Sequence, residues 1–305
     1  MTRPLAVVGN VNVDLILGPC APWPQTGTEV LVEHDDLRVG GAAGNTALAW
    51  AGLGCEHAIF ANVGSDAFGG WLREAFGERA GGWPVEECST TISVGITHPD
   101  GERTFFTSRG HLPAFSFGSA VPMLAKSLLD GGILLVCGSF LTGGLTRDYA
   151  KLFDWADAHD IAIALDTGWP LDGWTPAIRE MVLGWLPRCR YLMLNEIETL
   201  SLSGEDAVEI GIESLLPRLQ TGGTVVAKCG GKGALALGCD GTMQRASAPC
   251  VEVVDTIGAG DVFNAGFLMG VAAGQPLADC LSAGIRLASR AISTSPRRYD
   301  FGDAT

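Results

Sequence analysis

Asp255-Thr256-Ile257-Gly258-Ala259-Gly260-Asp261-Val262-Phe263 is the stretch from which the rest of the chain can be read. Two glycines stand just before an acid, and the acid stands just before an apolar helical run, residues 262–271. Such a junction can do two things at once. Free N–H groups at a helix N-terminus hold a phosphate, and a carboxylate beside them takes a proton from an attacking hydroxyl. Phosphoryl transfer needs both, because its catalysis is mostly positioning and charge stabilisation. A GxGD tetrapeptide alone would serve equally as a structural turn, but the full nonamer is far more specific. Ala259 keeps the loop narrow, and the amides of Gly258, Ala259, Gly260 and Asp261 can converge on a γ-phosphate. The helix dipole favours the Asp261 carboxylate as the anion, a ready proton acceptor at neutral pH.

Working outward, short apolar runs at Ile133–Cys137, 161–165, 191–194 and Thr224–Lys228 alternate with helical stretches. These are βα units, which predict a parallel sheet with helices on both faces. Residues 5–8 and 57–63 read as further strands, and 45–53 and 67–76 as helices. Two pieces break the rhythm. Residues 11–17 alternate, with Val11, Val13, Leu15 and Leu17 on one side and Asn12, Asp14 and Ile16 on the other. Residues 29–39 form a second mixed strand region closed by Gly40-Gly41. Residues 91–97 alternate again and lead through a Pro99-Asp100-Gly101 hairpin turn into Arg103–Thr107. Together these pieces predict a small second sheet, inserted twice into a single domain spanning 1–305, at about 12–39 and 91–112.

The bulk numbers set limits. With 305 residues and 47% hydrophobic content the chain can bury a large core. A formal net charge of −14 argues against nucleic acid or an anionic membrane as partner. A nucleotide polyanion must then be held by a local trap of amides, cations and metal. No apolar run approaches the ~20 residues of a membrane span. Met1-Thr2-Arg3-Pro4 leads straight into a strand, without a signal-peptide layout. The nine cysteines form no CxxC pairs and read as buried, reduced thiols of a cytoplasmic protein. The five histidines lack the spacing of a structural zinc site.

Four more constellations carry possible chemistry, each with a plain structural alternative. Gly40-Gly41-Ala42-Ala43-Gly44-Asn45 is either a tight turn with an Asn cap or a close backbone approach to a polyol, with Asn45 reading hydroxyls. Asn12 and Asp14, two apart on one strand face, either meet solvent at an edge or accept hydrogen bonds from vicinal hydroxyls. Asn195-Glu196-Ile197-Glu198 follows a parallel strand, where ligands bind in open α/β sheets. It is a capping box, or it is a pair organising waters around Mg²⁺. Lys228-Cys229-Gly230-Gly231-Lys232-Gly233 is a hairpin connection to 234–237 or a turn passing under a nucleotide. Neither a Walker loop nor a Rossmann GxGxxG is present.

In this order the five constellations resemble the PfkB carbohydrate kinases, the ribokinase-like family, over nearly the whole chain. DTxGAGDxF and GGxxxN are its most specific signatures. The resemblance implies a central, mostly parallel sheet flanked by helices on both faces, with a small β-sheet lid. It implies Asp261 as catalytic base and Gly258, Ala259 and Gly260 as the anion hole. Asn12, Asp14, Gly41 and Asn45 become sugar contacts. Asn195 and Glu198 match the NxxE motif tied to Mg²⁺ and phosphates, and Lys228, Gly230 and Gly233 the nucleotide-facing turn. Asp255 would help bind a monovalent cation such as K⁺. Where the family's ribokinases place a Glu against the sugar, this chain reads Cys137-Gly138-Ser139, with Ser139 nearest. Phe105, Phe106, Trp23 and Trp169 offer aromatic walls for a nucleoside base or fill the core. Arg103 and Arg109 can pair with a sugar phosphate or remain solvated lid charges. The expectation is an ATP- and Mg²⁺-dependent kinase of a primary hydroxyl on a sugar-like metabolite. A nucleoside kinase and a non-catalytic sugar- or nucleotide-binding sensor stand as alternatives. An open lid edge would allow a homodimer.

Overall fold

The computed structural model describes residues 2–99, 103–127 and 129–301. Its strands are β1 (Leu5–Val8), β2 (Asn12–Gly18), β3 (His34–Gly40), β4 (His57–Phe60), β5 (Val63–Gly64), β6 (Val85–Glu86), β7 (Ile92–Thr97), β8 (Arg103–Thr107), β9 (Ile133–Cys137), β10 (Ala162–Asp166), β11 (Tyr191–Asn195), β12 (Thr224–Lys228), β13 (Ala234–Gly238) and β14 (Met243–Ala246). The helices are α1 (Ala42–Gly52), α2 (Ala67–Phe76), α3 (Phe117–Leu124), α4 (Gly143–Arg147), α5 (Tyr149–Ala158), α6 (Pro176–Trp185), α7 (Glu196–Ser203), α8 (Val208–Leu215), α9 (Ala259–Ala272) and α10 (Leu277–Ile292).

Eight strands make one sheet in the order β14-β13-β12-β11-β10-β9-β1-β4. From β4 to β12 all neighbours are parallel, and β13 and β14 turn back antiparallel at one edge. The short connection 229–233 dictates that reversal, since only an antiparallel pair closes over so few residues. The parallel strands are apolar throughout because both faces are covered. Successive side chains divide between two cores. Leu5, Val7, Ile133 and Leu135 meet Trp50, Val262 and Phe267 on one face; Ala6, Val8, Leu134 and Val136 meet Tyr149, Leu152 and Ile212 on the other. Helices α1, α9 and α10 therefore cover one face, and α5 and α8 the other.

A separate sheet, β3-β2-β7-β8, holds the pieces that broke the βα rhythm. β2 pairs antiparallel with β3 and parallel with β7, and β7 pairs antiparallel with β8. Of the expected turn joining β7 to β8, Asp100 and Gly101 lie outside the described residues. Several boundaries differ from expectation. The strand expected over 29–39 runs from His34 to Gly40; the end of β2, Gly18, pairs with His34, so residues 29–33 have no partner strand. The strand expected over 57–63 divides into β4 and β5, and β5 pairs with β6 outside the main sheet. Residues 251–254, apolar enough for a strand, form none, and Val253 and Val254 are exposed. The cysteines are all free, but Cys88, Cys239 and Cys250 are exposed rather than buried.

Candidate active site

The C-terminal ends of β1, β9, β10, β11 and β12 share one edge of the main sheet, where α/β proteins bind ligands. Asp166 ends β10, Asn195 ends β11 and Lys228 ends β12. Helix α9 crosses this edge and delivers Asp261 in its first turn. Gly258 is the α9 N-cap at φ 72°, and a Cβ there would stand 2.5 Å from Asn45 Nδ2. Glycine is thus required twice over, by the backbone angle and by the close approach. The amide of Ala259, expected in the anion hole, instead donates to Thr256 O at 3.1 Å. The amides of Gly260 and Asp261 lie in the first turn, where helix geometry provides no intrahelical partner.

Asn45 is not a helix cap. Helix α1 begins at Ala42, with Gly41 as N-cap at φ 85°. Asn45 therefore sits a turn inside, where its Nδ2 donates to Asp261 Oδ2 at 2.8 Å. Thr46 Oγ1 donates to Asp261 O at 3.2 Å, and Trp50 Nε1 to Ala265 O at 3.0 Å. The GGxxxN motif and the nonamer thus meet as one unit. Burial raises the Asp261 carboxyl to about 6, Asp166 adds to the rise, and Asn45 and Lys228 oppose it. The helix dipole expected to favour the anion is outweighed by loss of water.

Asn12 and Asp14 are buried rather than solvated at an edge: β2 is an interior strand between β3 and β7, and their side chains pack against Asn10 and Gly40. Asn10 Nδ2 donates to Asn12 Oδ1 at 3.3 Å, and Asn12 Nδ2 donates to Asp14 Oδ1 at 2.7 Å. The Asp14 carboxyl lies over Gly40, whose Cβ would collide with it at 2.1 Å. Burial pushes Asp14 up to about 6, against the pull of Arg38 and Asn12.

A charged knot underlies the loop. Lys228 Nζ donates to Asp166 Oδ2 at 2.6 Å and to Asn264 Oδ1 at 3.2 Å, and Asn264 Nδ2 donates to Asp166 Oδ2 at 2.6 Å. A Cβ on Gly260 would be 3.5 Å from Lys228 Nζ, so the ammonium lies at the base of the loop. Burial lowers the Lys228 pKa, but Asp166 and Glu198 more than offset this and it lies above the ordinary lysine value. Asn264, three residues after Asp261 on α9, is a member that the sequence reading did not single out; its i, i+3 spacing from Asp261 was the available signal.

Asn195 and Glu198 form the capping box: Glu198 N donates to Asn195 Oδ1 and Asn195 N to Glu198 Oε2, both at 2.8 Å. Burial, with Asp166 nearby, raises the Glu198 carboxyl well above the ordinary carboxylate range. Among the described residues no group of three or more His, Cys, Asp or Glu is placed to hold a metal ion. The hard oxygens of Glu198 and Asp166 suit a Mg²⁺ carried mainly by phosphates and waters.

Other expected positions fall differently. Ser139 is buried, and its Oγ accepts from Tyr149 OH at 2.8 Å, so its hydroxyl is tied into the core. Gly230 and Gly233 lie in the β12–β13 connection, at φ 54° and 98°, and Lys232 there pairs with Glu196 on the surface. Trp23 stacks on Phe106 with ring centroids 6.2 Å apart, both about half exposed, and Phe105 and Trp169 are exposed too. Arg109 is exposed. Asp255, expected to help hold a monovalent cation, is instead engaged by Arg38, Arg297 and more distantly Arg103. Its carboxylate does not fit a monovalent cation.

Residues 2–299 match the pfkB family carbohydrate kinase description. An uncharacterized sugar kinase of Escherichia coli strain K12, YegV, is 27% identical over 290 residues, covering 93% of this chain and 86% of that protein. Adenosine kinase of Sinorhizobium meliloti superposes with a TM-score of 0.79 at 22% identity, over 96% of this chain and 95% of the other. Arabidopsis thaliana ribokinase, solved with ribose and ATP, superposes with a TM-score of 0.75 at 22% identity, over 96% and 94% of the two chains. At these identities the two structures bear on the fold.

Proposed function

The chain belongs to the pfkB family of carbohydrate kinases, and from that premise we propose that Asp261 deprotonates a primary hydroxyl of a sugar or sugar-like acceptor as it attacks the γ-phosphate of ATP. The class is a phosphotransferase with an alcohol acceptor, a sugar or nucleoside kinase. The observation that carries the finer reading is the bond from Asn45 Nδ2 to Asp261 Oδ2 at 2.8 Å, which ties an acceptor-side motif to the base. Asp14 and Asn12 supply a buried acceptor–donor pair for vicinal hydroxyls, with Gly41 allowing close backbone approach. A carboxyl held near 6 is mostly ionised at neutral pH yet close enough to accept a proton efficiently.

The amides of Gly260 and Asp261 and the Lys228 ammonium would hold the charge that grows on the transferring group. Asp166 and Asn264 fix the direction of the Lys228 side chain. Glu198 and Asn195 would hold Mg²⁺ through water, and the ion would supply positive charge to the phosphates. Gly230 and Gly233 would let the nucleotide lie close to the β12–β13 turn. The small sheet that carries Asp14 would exclude water on closing.

An ADP-release screen over pentoses, hexoses, their phosphates and nucleosides tests this reading. A sugar should support turnover, and Asp261→Asn should reduce it by roughly 10²–10⁴-fold, the usual contribution of a general base. Turnover of that variant at the wild-type rate would overturn the assignment. Ligand-dependent thermal shifts without ADP release from any acceptor would mark a binding protein. One observation favours a nucleoside as second choice: the half-exposed Trp23–Phe106 stack offers a face for a base.

A further inference from the structure

Asp255 opens the loop that ends in the anion hole, and its carboxylate is fully engaged by protein groups. Oδ2 accepts from Arg297 Nη2 at 2.8 Å and stands 2.6 Å from Arg38 Nη2. Oδ1 accepts the amide of Ile257 at 2.9 Å, with Arg103 Nη2 at 3.8 Å. The three guanidiniums come from β3, β8 and the segment after α10. Burial opposes ionisation of Asp255, but the Ile257 amide and the Arg38 and Arg297 charges hold it below the ordinary carboxylate range. A monovalent cation bound here would compete for the same lone pairs and sit against three positive charges.

Arg297 is the innermost of the three, its side chain 11% exposed against 21% for Arg38 and Arg103. Its Nη2 holds Asp255, while its Nη1 would lie 3.3 Å from a Cβ built on Gly258. One rigid, permanently charged fork thus spans the loop from its acidic head to the N-cap of α9. We propose that Arg297 is a positioning residue that performs the task of a monovalent cation in this chain, neutralising Asp255 and bracing the anion-hole loop, so that turnover requires no K⁺. Arg38 and Arg103 add charge from β3 and β8 of the small sheet, whereas Arg297 comes from the segment after α10, which packs on α9, the helix this loop enters.

The proposal rests on the kinase reading for its first readout and not for its second. Turnover is compared at equal ionic strength in tetramethylammonium, Na⁺ and K⁺ chlorides. Wild-type rates should agree within about twofold, and a rise of about tenfold in K⁺ overturns the proposal. Arg297→Ala should lose about tenfold or more in kcat in tetramethylammonium, with partial recovery on adding K⁺ or guanidinium ion. A folded variant that loses activity without cation-specific recovery also overturns it. The second readout is the melting temperature of the ligand-free protein. Exchanging tetramethylammonium for K⁺ should leave the wild type unmoved and stabilise Arg297→Ala, because an ion that binds the native state raises its stability. A K⁺-specific rise in the wild type contradicts the proposal. Should Arg297→Ala fail to fold, the wild-type salt series in both readouts still decides. Absence of turnover with every acceptor would count against the kinase reading alone, leaving the melting series to decide the cation question.

Discussion

Asp261 is a carboxyl whose working range is set by its neighbours. Burial and Asp166 raise it; Asn45 and the Lys228 ammonium lower it, with about 6 as the outcome. The sign of a Lys228→Met change follows. Removing the cation withdraws a stabiliser of the carboxylate, so the Asp261 pKa rises and the acidic limb of kcat/KM moves to higher pH, by roughly half a unit to one unit. A pH–rate series on the variant checks this, and a limb that stays in place or moves down contradicts it. Asp166 and Asn264 would lose their partner in the same variant, so kcat should fall as well. Limb position is the diagnostic quantity, because loss of packing alone does not shift it. Asn264 also illustrates what the sequence could not convey. An amide on the buried side of a helix looks the same whether it meets a ligand or a charged knot, and only the fold brings Lys228 and Asp166 to it.

At the scale of elements, the first turn of α9 concentrates the constraints. Gly258→Ala places a methyl 2.5 Å from Asn45 Nδ2 and demands a left-handed backbone of a residue with a Cβ. The strain should cost on the order of 1–3 kcal/mol, and it should displace Asn45 from Asp261 with a loss of turnover larger than the loss of stability explains. Urea unfolding and kinetics on the same preparation separate the two, and a stable variant with full turnover would contradict the role given to this glycine. Elements with an unbroken apolar pattern, α2, β9 and β12, and β8, which follows a clear turn signal, were legible in the sequence and have the bounds that it predicted. Elements defined by partners were not. β3 is shorter than its composition suggested because β2 ends, and α1 begins three residues early because Gly41 rather than Asn45 turns the chain. The five constellations were all visible as motifs. The contact between two of them, Asn45 on Asp261, was not, and neither was the hold of Arg297 on Asp255, since each joins residues remote in sequence.

At the scale of the molecule, the site makes the fold sensitive to pH in an uncommon direction. Asp14 and Asp261 each sit at about 6, and Glu198 is raised as well. A carboxyl raised above its unfolded value contributes stability that is complete below the unfolded pKa and lost as pH rises through the folded one. These three groups therefore favour the ligand-free protein in mildly acidic buffer. Its melting temperature should rise as pH falls from about 8 to about 5.5, by less than the carboxyls alone would give, because His111, lowered to about 4, and His57, also lowered, oppose the trend below about 6.5. At lower pH Asp255, Asp66 and Asp148, whose pKa values are lowered, protonate and withdraw their support. The net charge of −14 acts in the same direction through self-repulsion. Asp14→Asn and Glu198→Gln should each flatten the slope, which separates the site's share from the general one. A slope that Asp14→Asn and Glu198→Gln leave unchanged would contradict the part given to these carboxyls.

The bond between Asn45 and Asp261 joins residues 216 positions apart. The same two helices share Trp50 with Ala265 O, and α9 covers the apolar side of α1. Translation runs from one end to the other. A ribosome that has reached residue 258 has already made Asn12, Asp14, Asn45, Asp166 and Lys228, and the chain still lacks Asp261. Residues 258–297 bring the acid, the N-terminus of α9 and Arg297 together, and with them the cover for Trp50. A chain ended before α9 would leave the apolar side of α1 around Trp50 without its cover. Asp261 and the sealing of the core over Trp50 arrive with the same helix.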